Sequence, residues 1–375
     1  MKKLFVLLTI FALAALMVPT AMATNGDNLI GVGPTSRAMG GVGIAAPQDA
    51  ISAVFANPAA MCFGPYCPSS EFNFAGTLFA PKIETKITNF EGTFTAESED
   101  NIYMIPAIGV SVPIGAGSSP WRFGLAAYGV TGLGVDYRGT SIDDPTGLNF
   151  PAPPAGPGPS PIVAGEYTSL QIMKFAPSVA YQASPNLSFG LATHVNYGML
   201  DLRNGTSSGY AFGVQPGMIY KPSDNLSLGL TYVSPQKITH KNVLNFGGTL
   251  YDLDLESPQQ LGLGLSYDFA GAGLLLSFDT KWLNWSDAAG YSDFDWDDQW
   301  VYALGARFKA TDKLNLMAGY NYSKNPVKEH NNFNGDSFVN VQGITMPTYY
   351  YETFRIVGFP AIVEHHMTLG LSLIH

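Results

Sequence analysis

Beyond residue 70, apolar positions alternate with small or polar ones at period two. Leu226, Leu228, Leu230 and Tyr232 alternate with Ser227, Gly229 and Thr231, and Leu261, Leu263, Leu265 and Tyr267 with Gly262, Gly264 and Ser266. Leu187, Phe189 and Leu191 repeat the pattern with Ser188 and Gly190 between them. One apolar face and one small or polar face is the signature of a strand. The pattern predicts twelve strands: 71–82, 101–113, 121–131, 167–183, 187–201, 210–222, 226–239, 259–269, 273–284, 299–309, 314–323 and 361–374. Several exceed the ~10 residues that a tilted strand needs to cross a bilayer.

A soluble sandwich alternates too, so the connections carry the distinction. Short links, such as Ser184-Pro185-Asn186, Ser223-Asp224-Asn225 and Thr311-Asp312-Lys313, alternate with long ones at 83–100, 132–166, 240–258, 285–298 and 324–360, with one compact exception near 203–209. Tight turns at one end and long loops at the other are the asymmetry of an outer-membrane barrel. Tyr128, Tyr137, Tyr181, Tyr220, Tyr232, Tyr267, Trp282, Trp285, Tyr320 and Tyr322 lie near strand ends, as interfacial girdles would. The run 151–161, PAPPAGPGPSP, suits an extended, semi-rigid loop. Residues 331–353, polar and then Tyr-rich, suit an outer vestibule.

Composition sharpens this picture. Only 13% of residues are charged against 13% aromatic and 41 glycines, about half the charge of an ordinary soluble domain, yet beyond the N-terminus no run approaches the ~20 apolar residues of a membrane helix. Residues 1–23 read as a cleaved export signal: Lys2 and Lys3, an apolar stretch over 4–18, then Ala21-Met22-Ala23. The net charge of -10 becomes -12 once Lys2 and Lys3 are removed, which argues against a nucleic-acid partner. Cys62 and Cys67, in CFGPYC, are expected to form a disulfide in an oxidising compartment, worth about 2 kcal/mol for so short a loop.

Between signal and first strand lies the stretch 31–60, rich in Gly and Ala and too poor in large apolar residues to build its own core. Its Ser36-Arg37-Ala38-Met39-Gly40-Gly41, Asp49-Ala50 and Asn57-Pro58-Ala59, together with Glu364-His365-His366 and Thr368-Leu369-Gly370, resemble the FadL/TodX outer-membrane transporters. The resemblance implies an all-β transmembrane antiparallel β-barrel, 14-stranded in the family, over 71–375, with an N-terminal hatch over 24–70 plugging the lumen. Arg37, Gly40, Gly41, Asn57, Pro58 and Ala59 would belong to that hatch, the last three facing a gap in the wall. The implied activity is passive uptake of hydrophobic molecules, long-chain fatty acids or, in the TodX branch, monoaromatic hydrocarbons, by hatch movement and sideways exit. The expected partners are that substrate and the lipids and lipopolysaccharide of a Gram-negative outer membrane, with the protein a monomer. Twelve strands fall short of fourteen, and the ending Leu-Ser-Leu-Ile-His375 lacks a terminal aromatic, so the chain is expected to be a fragment.

By strand parity Arg122, His194, Arg307 and Lys309 point away from lipid. An inward cation could hold a fatty carboxylate by charge-assisted hydrogen bonds, or simply pair with Asp268 or Asp279. Asp293, Asp295, Asp297 and Asp298 lack the Gly and distal Glu of a calcium loop. In Glu364-His365-His366 adjacent side chains face opposite sides of a strand. No metal or cofactor is expected. Two other functions compete: a general porin, which needs no plug, and an outer-membrane lipase or acyltransferase, although no Gly-x-Ser-x-Gly elbow occurs.

Overall fold

The structure is a computed structural model that describes residues 24–373 apart from 65–66, 90–91, 100–101, 116–118, 144–163, 332–333 and 336. The expected export signal, residues 1–23, and the proline-rich 151–161 lie outside the described residues. Twelve antiparallel strands form the wall: β1 (Glu71–Phe79), β2 (Tyr103–Pro113), β3 (Trp121–Asp136), β4 (Tyr167–Ser184), β5 (Leu187–Asp201), β6 (Thr206–Tyr220), β7 (Leu226–Val233), β8 (Gln260–Phe269), β9 (Leu274–Leu283), β10 (Gln299–Lys309), β11 (Leu314–Ser323) and β12 (His365–Leu373). Each pairs with the next in chain order. Two two-residue strands, Thr24–Asn25 and Asn28–Leu29, join at β3 and bring the sheet to fourteen. No helix among the described residues is long and apolar enough to cross a membrane.

The alternation sorts as the sequence predicts. Leu261, Leu263 and Leu265 are exposed, whereas Ser266 between two such outward rows is buried. The outward face of β1 carries Phe72, Phe74 and Leu78. Tyr128, Tyr137 and Trp285 are fully buried, so these three are not girdle residues; Tyr181, Tyr220, Tyr267 and Tyr320 do stand on the outside.

The inward face wraps the N-terminal segment, which contains helices α1 (Pro34–Ala38) and α2 (Ala50–Ala56) and a 3-10 turn, Pro58–Cys62. Wall glycines make this possible. A Cβ on Gly305 would lie 2.5 Å from the Met39 carbonyl oxygen, and one on Gly264 2.8 Å from the Ala45 nitrogen. Gly190, Gly229 and Gly319 would collide with the backbone at Ala59, Ile44 and Gly40 in the same way. Backbone therefore lies directly on backbone, which explains how a Gly/Ala stretch with little side-chain bulk is ordered.

Three expected loops contain structure. The 83–100 link holds a hairpin, Glu84–Asn89 with Gly92–Glu97. The predicted strand 226–239 stops at Val233, and after Ser234-Pro235 the chain makes a separate hairpin, Gln236–Phe246 with Thr249–Ser257. That hairpin sits inside the wall against Gly198, Gly209 and Gly213. The 324–360 link contains a hairpin, Phe338–Val341 with Ile344–Pro347, and helix α3 (Thr348–Val357). With the 285–298 loop these pieces build a cap whose core is Trp285, Tyr291, Phe294, Trp296, Phe354 and Phe359. The fully buried Arg355 ties it together, holding Glu352 at 2.7 Å and donating to the carbonyl of Lys328 at 2.8 Å.

Candidate functional site

Buried Asn57 organises the centre of the N-terminal segment. Its amide donates to the carbonyls of Ile44 (2.9 Å), Met218 (3.0 Å) and Leu230 (3.3 Å), while its oxygen accepts from the Ala59 nitrogen (3.1 Å). One side chain thus joins both limbs of the segment to β6 and β7. Pro58 starts the 3-10 turn, and the Ala59 carbonyl accepts from Ser188 at 2.8 Å. Gly40 adopts φ 72° and Gly41 φ 87°, backbone that a side chain resists. The Gly40 nitrogen donates to Thr368 and its carbonyl accepts from Asn321. Asp279 on β9 accepts from the nitrogens of Gly43 (2.8 Å) and Ile44 (3.0 Å). Arg37 on α1 donates to Thr77 of β1, beside a cavity of about 650 Å³ between the facing edges of β1 and β12.

Next to Ala56 lies a small cavity of about 50 Å³, lined by Asn28, Leu29 and Phe55 of the segment and by Lys174, His194 and Lys281 of the wall. It has room for water but not for an organic ligand, whose sites span about 300–1,000 Å³. Neither lysine ammonium makes a hydrogen bond or ion pair among the described residues; the Lys281 ammonium stands 5.8 Å from the Phe55 ring. His194 lies 3.1 Å from Gln215, whose amide donates to the carbonyls of Phe55 and Ala56.

The wall is interrupted beside this cavity. Strands β2 and β3 pair from Pro113↔Arg122 to Ala107↔Tyr128 and then part. Residues 103–106 stay with β1, while β3 continues along β4 through a bulge at Gly129/Thr131. The parting holds a cavity of about 260 Å³ lined by Ile105, Leu133, Ile172 and Met173 among others.

Residues 200–334 match the model of the family described as outer membrane protein transport protein (OMPP1/FadL/TodX). The chain resembles the FadL/TodX transporters. It is similar to the crystal structure of the Pseudomonas putida toluene transporter TodX at TM-score 0.65 and 19% identity, covering 94% of this chain and 91% of that one. A Pseudomonas aeruginosa FadL homologue aligns at TM-score 0.60 and 15% identity, over 81% and 82%. The Ralstonia pickettii toluene transporter TbuX aligns at 0.59 and 18%, over 79% and 87%. At these identities the likeness to solved structures is one of fold. No curated protein matches the chain.

Of the four cations expected from strand parity to point inward, only His194 lines the central cavity. Arg122 is taken up by the carbonyls of Pro68 (3.1 Å) and Ser69 (2.7 Å) and by Ser111. Arg307 donates to Gln48 at 2.7 Å, so it clamps the segment. Lys309 does not point into the lumen: it sits at the tight-turn end of β10, exposed, paired with Asp312 at 2.9 Å. Inward parity fails there because the strand is leaving the barrel. The expected disulfide is absent: Cys62 and Cys67 are free thiols, and Cys67 turns its sulfur to the Met61 carbonyl. Burial pushes the Cys62 thiol up to about 12. Among the acidic loop residues, Asp295 and Asp297 pair with Lys328, and Asp298 accepts from Trp282 and Ser286.

Sequence reasoning missed Lys174 and Lys281. The signal was present: each is the one lysine on the inward face of its strand, beside Ile172 and Ala176 in β4 and beside Asp279 in β9. The parity rule that nominated Arg122 nominates both.

Proposed function

We propose that the protein is an outer-membrane channel for passive uptake of hydrophobic molecules, with fatty carboxylates as its substrates. Residues 24–70 act as a plug for the barrel of 71–375. The observation that carries the reading is the occluded cavity with two ammonium groups lacking a bonded counter-charge. Burying a cation without a bonded partner is costly; Asp279, two residues from Lys281 on β9, offsets part of that cost for Lys281 only, and an entering carboxylate would supply a bonded partner. Because the cavity of about 50 Å³ is too small for an acyl chain, binding requires Phe55 and Leu29 to move, so ligand binding and plug movement are one event. The apolar gap between β2 and β3 then offers the sideways exit into lipid. The TodX and TbuX structures are toluene transporters by description, and a neutral aromatic ligand is the competing reading.

The test is binding of a long-chain fatty acid and of the corresponding neutral alkane-like probe to the purified protein. Lys174→Met and Lys281→Met are expected to weaken the acid by roughly ten-fold each, the cost of one charged hydrogen bond, and to leave the neutral probe unchanged. Equal affinities of wild type for both probes would sink the carboxylate assignment in favour of a hydrocarbon channel. Rapid liposome permeation by small sugars would instead indicate an open porin.

A further inference from the structure

The N-terminal residues do not end in the plug; they reach the cap. Asp27 is buried, and its carboxylate accepts from the Tyr291 hydroxyl in the 285–298 loop. Beside it, a Cβ on Gly26 would lie 2.7 Å from the Trp285 ring. A second chain of bonds runs in parallel: Trp285 donates to Gln299 (3.2 Å), Gln299 to Ser323 (3.0 Å), and Ser323 to the Asn25 side chain (3.0 Å). Trp285, Tyr291 and Trp296 pack against one another edge-on or tilted, with ring centroids 4.6–5.1 Å apart, so the residues that grip the tail are the core of the cap.

In the other direction the tail is fixed to the plug. Gly41 packs against the Ile30 carbonyl with no space for a Cβ, Gly41 donates to the Ser36 carbonyl at 2.8 Å, and Ser36 donates to the Val42 carbonyl at 2.9 Å. Asn28 also pairs with Thr131, at the bulge beside the gap in the wall.

We propose that residues 24–29 are a tie between the outer cap and the plug, so that the long-loop closure and the lumen closure loosen together. This goes beyond the transport reading and does not depend on which ligand is carried. A ligand pushing into the aromatic cap displaces Trp285 or Tyr291, and with them the strand that holds the plug up against the cap. Two closures linked this way cannot be opened independently.

The test is hydrogen exchange on the full chain in detergent or nanodiscs, without ligand. Gln342→Ala loosens the cap from a site away from the tail, because Gln342 donates to Asp293 and to the Asp254 carbonyl. In the wild-type background this variant should raise exchange in the plug, residues 36–46, by roughly ten-fold, the factor for one lost hydrogen bond. Tyr291→Phe should raise plug exchange similarly, and combining the two should add little further. At about pH 5, where the buried carboxyl holds its proton, Asp27→Asn, which keeps an acceptor for Tyr291, should stay within about two-fold of wild type. Exchange that rises only in the cap and the tail, with 36–46 at wild-type protection, overturns the tie. So does a plug response to Gln342→Ala of equal size with Tyr291 or Phe at 291.

Discussion

Gly305→Ala probes the backbone-on-backbone seating of the plug. The added methyl lies 2.5 Å from the Met39 carbonyl oxygen, 2.8 Å from the Met39 Cβ and 2.7 Å from a Val42 methyl. Reaching ordinary contact at 3.4 Å requires the Met39 carbonyl to retreat by about 0.9 Å. Backbone cannot swing aside as a flexible side chain can, and overpacking of this kind costs about 1–3 kcal/mol. The cross-strand neighbours Ser277 and Gly319 are small, so the wall itself accommodates the methyl and the cost falls on docking of the plug. That corresponds to roughly a five- to 150-fold rise in the population of the undocked plug. Gly76→Ala is the matched control, since nothing lies within 4 Å of its added Cβ. Both variants gain the same strand preference for alanine over glycine, about 0.5–1 kcal/mol. Hydrogen exchange of peptides covering 36–46, with wall strands as internal reference, measures the difference. Wild-type protection of those peptides in Gly305→Ala, in a barrel that retains its folded mobility, would refute the seating argument.

Asn57→Ala leaves the Ile44, Met218 and Leu230 carbonyls without their shared donor, and is expected to weaken plug docking by about 2–3 kcal/mol; unfolding of the plug by urea before the barrel melts would register it. Burial pushes the Asp27 carboxyl from 3.8 up to about 7, against the opposing pull of the Tyr291 hydroxyl. A raised carboxyl stabilises the folded tail fully below 3.8 and loses that contribution as pH rises through about 7. Corrected for intrinsic rates, amide exchange at 24–29 should therefore increase from about pH 5 to about pH 8, and a flat profile identical to that of Asp27→Asn would contradict it. Arg355→Met removes one partner of the buried pair with Glu352 and should destabilise the cap by about 3–5 kcal/mol. New protease cleavage within 324–361, with the wall intact, is the expected readout.

The wall was legible because one physical rule covers it. Leu228, Leu263 and Phe278 stand outward while the small residues between them face the plug, and all twelve strands were located from that alternation alone. The rule failed where it was no longer the constraint. Around Gln236, Ile238 and His240 the alternation continues past Val233, but Pro235 redirects the chain into an inner hairpin that has its own two faces. Tyr128 looked like a girdle residue by position and is buried because its parity is inward. The cap was invisible for a different reason: Trp285, Phe294, Phe354 and Phe359 come from two loops some sixty residues apart in sequence, and their packing has no period. In the N-terminal segment Asn57 was nominated by resemblance, whereas its three carbonyl partners depend on where β6 and β7 run.

The glycine facing of the wall bears on how such a plug can move at all. Interlocked side chains must unlock, rotamer by rotamer, before two surfaces can slip past each other. Where Gly190, Gly229, Gly264, Gly305 and Gly319 meet the segment there is no side chain on the wall to unlock. What holds the segment is a small set of directional bonds, chiefly those of Asn57, Asp279, Asn321 and Thr368. Where the wall carries glycine the surface behaves as a bearing and these bonds as its detents: at those positions resistance to displacement is concentrated in a few named residues rather than in interlocked side chains.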